Sequence, residues 1–276
     1  MRLSDSQLQN SAIATEAQVS FFCSKLNVAM GDDPNRYRPG RDWLRNPYRI
    51  HQRIAMAFDG DPTQKEEELG ERPGRILFRV EPPFRRIIVV STIVPKWDEA
   101  FRNTSILLDQ QEPWDVKQAD FTIRRGQLLR FYLRANPVHR ATEKSVGPDG
   151  EPIAAKWVRK RVPIAPSDGA MRTWLERKGE RHGFTVVPDE VEVLCASMQA
   201  SRRKMPETLC PDQAYECPRE KAGDTMKEKQ VMKHWGVDYE GVLHITCPTE
   251  FAKALICGIG PGKAFGFGLL SIAPAG

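Results

Sequence analysis

The segment Gly258-Ile259-Gly260-Pro261-Gly262-Lys263-Ala264-Phe265-Gly266-Phe267-Gly268 places five glycines in eleven residues. An apolar stretch of helical character precedes it, and a last apolar run follows. Such a density of glycine calls for a backbone that turns tightly and is approached closely. Its N–H groups would suit phosphate oxygens, with Lys263 adding a point charge. A tight helix–strand connection, with glycine used for packing, accounts for the same residues, and both readings stand. Nucleotide-binding loops are excluded. A Walker loop needs glycine five residues before its Gly-Lys pair and Ser or Thr after the lysine, where this chain has Cys257 and Ala264. A dinucleotide fingerprint runs strand–loop–helix, the reverse of the order here.

Upstream, Val19 to Val28 reads as a strand, followed by a Gly/Asp/Pro/Arg-rich loop over 31–45. Asn46-Pro47 opens a helix, with Asn a favoured cap and Pro a favoured first residue. That helix runs to about Phe58 and stops at Asp59-Gly60, with Ile50, Ile54 and Ala57 facing the core. Apolar runs Arg75 to Val80 and Arg86 to Val94 flank a Pro-Pro turn; a helix near Trp97 to Arg102 and a strand from Gln127 to Arg134 follow. The order is βαββαβ, the ferredoxin-like arrangement that RNA-recognition domains also use. It recurs as a strand at Arg159 to Ile164, a helix at Gly169 to Gly183 with Met171, Trp174 and Leu175 inward, strands at Val191 to Ser197 and Tyr239 to Thr246, a helix at Pro248 to Cys257, and a strand at Phe267 to Ile272. The expected fold class is therefore α+β: two tandem ferredoxin-like (RRM-like) domains, 1–137 and 138–276, meeting near Asn136. The polar stretch from Met205 to Trp235 reads as an insertion.

A hydrophobic fraction of 40% in 276 residues supports a core of this size. The net charge of +5 is concentrated: Asp120 to His182 holds 14 Lys and Arg against 7 Asp and Glu. Lys156, Arg159, Lys160 and Arg161 cluster on a predicted hairpin, and Arg202, Arg203 and Lys204 follow a strand. Both clusters suit an RNA backbone, as they suit simple solvation. An ordinary A-form major groove is too narrow for side chains, so such contacts need a widened groove or a hairpin end. The opening to Gln18 lacks a signal-peptide pattern, and no apolar run reaches the ~18 residues of a membrane span. The six cysteines make no C-x-x-C pair, and Cys210 and Cys217 are spaced too widely for a standard zinc knuckle. A cytoplasmic protein with reduced thiols, no metal site and no cofactor is the expectation.

The residues from Gly258 to Pro274, GIGPGKAFGFGLLSIAP, resemble the C-terminal glycine-rich signature of the repeat-associated RNA-binding protein superfamily. Arg130 to Pro137, RFYLRANP, looks like that family's R-x-R-L-R-A-N-P strand ending. Tyr239 to Leu243, YEGVL, is similar to its F-E-G-x-L strand, and Asn46 to His51, NPYRIH, to its N-P-Y-x-x-H helix start. In this order, from about Val19 to Pro274, the chain resembles the CRISPR RNA-processing endoribonucleases of type I-E Cascade complexes. The resemblance implies cleavage of CRISPR precursor RNA at the base of a repeat hairpin, near-single turnover, and retention of the mature guide RNA beside other Cascade subunits. It implies that His51 and Tyr48 are the catalytic pair, and that Gly258, Gly260, Gly262, Lys263, Gly266 and Gly268 grip RNA backbone. The N-terminal extension, the 31–45 loop and the insertion after Lys204 depart from shorter members.

The residue chemistry is compatible with that role. RNA carries its own nucleophile in the 2′-OH, so cleavage needs in-line geometry and proton transfer more than a metal. A histidine with a pKa near 6.5 gives or takes a proton at neutral pH. Tyr48 and His51, three residues apart, project from one face of a first helical turn, whose N-terminus favours phosphate. The expected products are a 2′,3′-cyclic phosphate and a 5′-hydroxyl. His139, His182, His234 and His244 are expected to be spectators. A non-catalytic RNA-binding scaffold of the same superfamily, with His51 incidental, is the alternative; a metal-dependent nuclease lacks a carboxylate cluster.

Overall fold

The computed structural model describes residues 15–31, 38–58, 76–146, 152–164, 167–202 and 231–275. Its first sheet contains β1 (Glu16–Asn27), β2 (Ile76–Glu81), β3 (Arg86–Ser91) and β4 (Trp114–Arg124) in the order β2-β3-β1-β4. The helices α1 (Pro39–Leu44), α2 (Pro47–Ala55) and α3 (Trp97–Phe101) belong with it. Leu26, Phe78, Ile87 and Val89 share a core with Ile50 and Ile54 of α2 and Trp97 and Phe101 of α3. The alternate residues Val19, Leu77 and Val90 are buried on the opposite face. Both faces are therefore covered, which is why β2 and β3 read as continuous apolar runs rather than alternating ones.

The second sheet runs β11 (Leu270–Pro274), β5 (Leu128–Ala135), β10 (Val231–Ile245), β8 (Phe184–Val186), with β9 (Glu192–Arg202) also paired to β10. Its helices are α4 (Asp168–Arg181) and α5 (Pro248–Cys257). Leu129, Phe131 and Leu133 of β5 meet Val237, Tyr239 and Leu243 of β10 over Met171, Trp174 and Leu175 of α4. Both sheets thus have the 4-1-3-2 strand order of the ferredoxin-like fold. β6 (Val138–Val146) and β7 (Pro152–Pro163) form a separate two-stranded hairpin.

Several strands differ from expectation. The fourth strand of the first sheet is β4, not Gln127 to Arg134. β4 escapes notice because it is an edge strand whose Lys117, Gln118 and Asp120 are exposed. The Gln127–Arg134 run is instead β5, central in the second sheet, so the change of sheet falls at 125–127, ahead of Asn136. Arg159 to Ile164 does not open the second sheet; 159–163 belong to β7. The expected loop at 31–45 contains α1, where Trp43 and Leu44 are buried. An added Cβ on Gly40 would lie 2.4 Å from the Ala29 carbonyl oxygen, so the residue that looked like a breaker permits a close crossing. β8 is too short to signal itself, and β10 starts at Val231, inside the expected insertion; residues 203–230 lie outside those described.

α5 joins the two units. Phe251, Ala254 and Leu255 are buried in the second core, and the helix packs against β1, β2 and β4 of the first sheet. Val19 and Ile123 of the first sheet join the same core. Arg79 of β2, 7% exposed, adds a polar tie. It donates to Glu81 at 2.6 and 2.9 Å and to Ser271 Oγ of β11 at 2.8 Å, and its guanidinium lies 4.6 Å from the Tyr132 ring centre on β5. No helix among the described residues is long and apolar enough to cross a membrane. Truncating the fully buried Phe251 to alanine is expected to cost about 3–5 kcal/mol in urea unfolding; a loss below about 1 kcal/mol would contradict its place at the junction of the cores.

Candidate active site

α2 begins at Pro47, where the missing N–H costs nothing. Asn46 occupies the cap position without a side-chain cap hydrogen bond; its carbonyl accepts from the N–H groups of Arg49 and Ile50. Ile50 and Ile54, both 0% exposed, anchor one stripe of the helix and fix its roll. Tyr48 and His51 then lie half-buried on the flank of that stripe. The His51 ring lies nearly parallel to Phe78 of β2, 6.3 Å between centres and 14° between planes. The Tyr48 ring stacks on Phe265, 6.3 Å away at 27°.

Phe265 comes from the glycine-rich connection. Residues Lys263–Phe265 form a single 3-10 turn bracketed by Gly262 and Gly266, each at φ 83°, a region hostile to other residues. The turn packs against α2 and β2. A Cβ on Gly266 would meet the Phe78 ring at 3.2 Å, and one on Gly258 would meet Leu77 Cδ2 at 2.8 Å. Many of the amides are already used. Gly258 donates to Ala254, Ile259 to Gly268, Gly266 to Lys263 and Gly268 to Arg134. Among the described residues, the N–H groups of Gly260, Gly262 and Ala264 have no backbone acceptor. Gly258, Gly266 and Gly268 therefore serve close packing, while Gly260, Gly262 and Ala264 at the tip leave their N–H groups outside the backbone hydrogen-bond pattern.

The basic clusters are placed by backbone alone. Lys156, Arg159, Lys160 and Arg161 lie on β7, with Arg161 opposite Arg140 and Lys160 opposite Ala141. Arg202 ends β9, a strand that approaches α2; Arg203 and Lys204 lie outside the described residues. Among the described residues, no group of three or more His, Cys, Asp or Glu side chains is arranged to hold a metal ion.

Sequence reasoning missed a set of residues behind the glycine-rich turn. His234 lies 4.1 Å from the Phe265 ring centre, with its Nδ1 3.4 Å from Asn136 Nδ2. Asp238, 8% exposed, pairs with Arg134 at 3.0 Å. Burial pushes its carboxyl above the ordinary value despite that pairing. Tyr132 is pushed up to about 12 by burial and then by Asp238. Arg134 and Asn136 stand in the R-x-R-L-R-A-N-P-like ending, but nothing in spacing ties them to a histidine about a hundred residues later in a polar stretch.

Burial lowers the pKa of His51 below the ordinary 6.5, with no charged group contributing. At neutral pH its imidazole is therefore neutral and able to accept a proton. Burial also lowers His182, helped by Lys178 and Lys263, and His234. The unfolded chain binds protons more readily at all three rings, so each contributes a loss of stability as pH falls below about 6.5. An NMR titration of the RNA-free protein is expected to place the His51 midpoint below 6.5; a midpoint above it would contradict the desolvated ring.

A profile of the family described as "CRISPR associated protein" matches residues 22–274. The chain is 30% identical over 246 residues to "CRISPR-associated endoribonuclease Cse3" of Thermus thermophilus, covering 86% of this chain and 94% of that one. It is 26% identical to "CRISPR system Cascade subunit CasE" of Escherichia coli, covering 85% and 95%. Its fold is similar to that of Thermus thermophilus Cse3 bound to an RNA representing a pre-cleavage complex, with a TM-score of 0.58, 26% identity and coverage of 92% and 100%. It also resembles Cse3 bound to a 19-nt RNA, with a TM-score of 0.59, 26% identity and coverage of 93% and 99%. With the profile spanning nearly the whole chain and the strand order shared by both units, the chain belongs to the CRISPR-associated protein family.

Proposed function

We propose that this chain is the endoribonuclease that cleaves CRISPR precursor RNA within its repeat, at the base of a hairpin, and then holds the mature guide RNA as a Cascade subunit. The observation that carries this reading is the meeting of two distant segments. Tyr48 and His51 stand in the first turn of α2, and the glycine-rich turn packs directly against that helix. Similarity to proteins named as CRISPR endoribonucleases supplies the substrate class.

The chemistry follows from the RNA. The 2′-OH attacks the adjacent phosphorus and the 5′-oxygen leaves, giving a 2′,3′-cyclic phosphate and a 5′-hydroxyl. His51, neutral in the free protein, accepts the 2′-OH proton, and the departing 5′-oxygen takes its proton from water. A general-acid role at the 5′-oxygen requires the bound phosphate to raise its pKa first. Tyr48 orients the reacting groups. The tip contacts RNA backbone through the N–H groups of Gly260, Gly262 and Ala264, and the Lys263 ammonium adds positive charge. Lys156, Arg159, Lys160 and Arg161 on β7, and Arg202 to Lys204, contact the hairpin backbone. The proton chemistry needs no metal ion.

Single-turnover cleavage of a CRISPR repeat RNA tests the reading. Cleavage is expected to persist in EDTA and to fail with a deoxynucleotide at the scissile position. His51→Ala is expected to slow it by about 10²–10⁴-fold with RNA affinity retained. Full activity of His51→Ala would overturn the assignment. Tight binding by the wild-type protein with no cleavage product would make the chain a binding scaffold instead.

A further inference from the structure

A row of ring contacts leads from a partly buried ion pair in the second unit to Tyr48 in the first. Asp238 holds Arg134, whose guanidinium lies 5.9 Å from the Phe267 ring centre. Phe267 tilts against His234 at 6.1 Å, His234 packs on Phe265 at 4.1 Å, and Phe265 stacks on Tyr48 at 6.3 Å. β10 is pressed close to this row. A Cβ on Gly236 would lie 2.8 Å from the Phe267 ring and 3.3 Å from Arg134. On the other side of the turn, a Cβ on Gly262 would lie 2.9 Å from Phe267. Glycine at both positions lets the backbone lie close to the Phe267 ring.

His234 is an unusual choice for a packing ring. Its Nε2 is buried and makes no hydrogen bond to the described residues. Leaving a polar nitrogen in that state costs stability that a phenyl ring would not. Its position next to Asn136, which is 7% exposed, gives the ring a fixed edge. Burial keeps it neutral at neutral pH, so it meets Phe265 as an aromatic surface rather than as a cation.

We propose that His234 is a positioning residue for Tyr48, fixing the Phe265 ring against which Tyr48 rests. The proposal rests on the catalytic reading of α2 and adds to it. The second unit then sets the geometry of the proton chemistry without touching the reacting atoms. A rotation of Tyr48 about its free bonds is resisted on one face by Phe265, and Phe265 is itself backed by His234. Small displacements of such a group reduce rate strongly while leaving binding at distant contacts intact.

The test is a double-mutant cycle on single-turnover cleavage of the repeat hairpin, with RNA affinity measured in parallel. His234→Ala is expected to slow cleavage about tenfold with affinity unchanged within about threefold. In a Tyr48→Phe background the same substitution is expected to cost less than about twofold, because the two act through one group. His234→Phe keeps the ring and is expected to restore the rate to within about threefold. Should His234→Ala fail to fold, Phe265→Leu, which keeps bulk and removes the ring, is expected to behave as His234→Ala does in both backgrounds. Wild-type cleavage by His234→Ala or Phe265→Leu, or losses that multiply with Tyr48→Phe, would overturn the proposal while His51→Ala remained inactive. If His51→Ala and Tyr48→Phe both cleave at the wild-type rate, the catalytic reading itself falls and the positioning role with it.

Discussion

The close packing of the glycine-rich connection on β2 is the contact on which the site depends. An ordinary helix–strand connection would hold side chains between the two units. Gly258 and Gly266 have none, so the backbone lies directly on Leu77 and Phe78. Phe78 is also the ring beneath His51, and the turn that Gly266 closes delivers Phe265 to Tyr48. One backbone path therefore supports both side chains of α2. A methyl group at Gly258 would meet the Gly268 carbonyl oxygen at 2.9 Å as well as Leu77, in a conformation of positive φ. The cost would be felt at the junction of the units, where α5 and Arg79 also act.

This arrangement reconciles the two explanations that glycine density left open. The buried glycines are packing residues, with their N–H groups given to Ala254 of α5, to Lys263 of the turn and to Arg134. The tip retains N–H donors and carries Lys263. On the proposed reading, packing and RNA contact are performed by different residues of the same segment. The ferredoxin-like topology explains how this is possible. The last helix–strand connection of the second unit emerges where α5 crosses the first sheet, on the face where β2 presents Leu77.

What was legible in the sequence follows from the range of the interactions involved. α2, α4 and α5 are local objects, α2 and α5 signalled by Pro at a first position and α4 by apolar spacing; α5 runs from Pro248 to Cys257 as the pattern predicts. Met171, Trp174 and Leu175 face the core for the same reason. The pairing of β5 with β10 joins residues about a hundred apart, such as Leu133 and Tyr239, and no local pattern encodes it. β4 carries the charges of an exposed edge, and β8 is three residues long. Tyr48 and His51 are legible as a motif at a helix start. The contacts of His234 with Phe265 and Asn136 are not legible, because those residues reach it only through the folded second unit.

The central claim is that His51 moves a proton during cleavage rather than merely completing a helix face. Chemical rescue tests it most directly. His51→Gly opens a space where free imidazole can enter, leaving Tyr48 and the glycine-rich turn in place. Single-turnover cleavage by this variant is expected to be restored by added imidazole, saturably, and with a pH dependence that follows the imidazole's own titration. Normal RNA binding with no rescue by imidazole, or cleavage that never depended on it, would contradict proton transfer by His51.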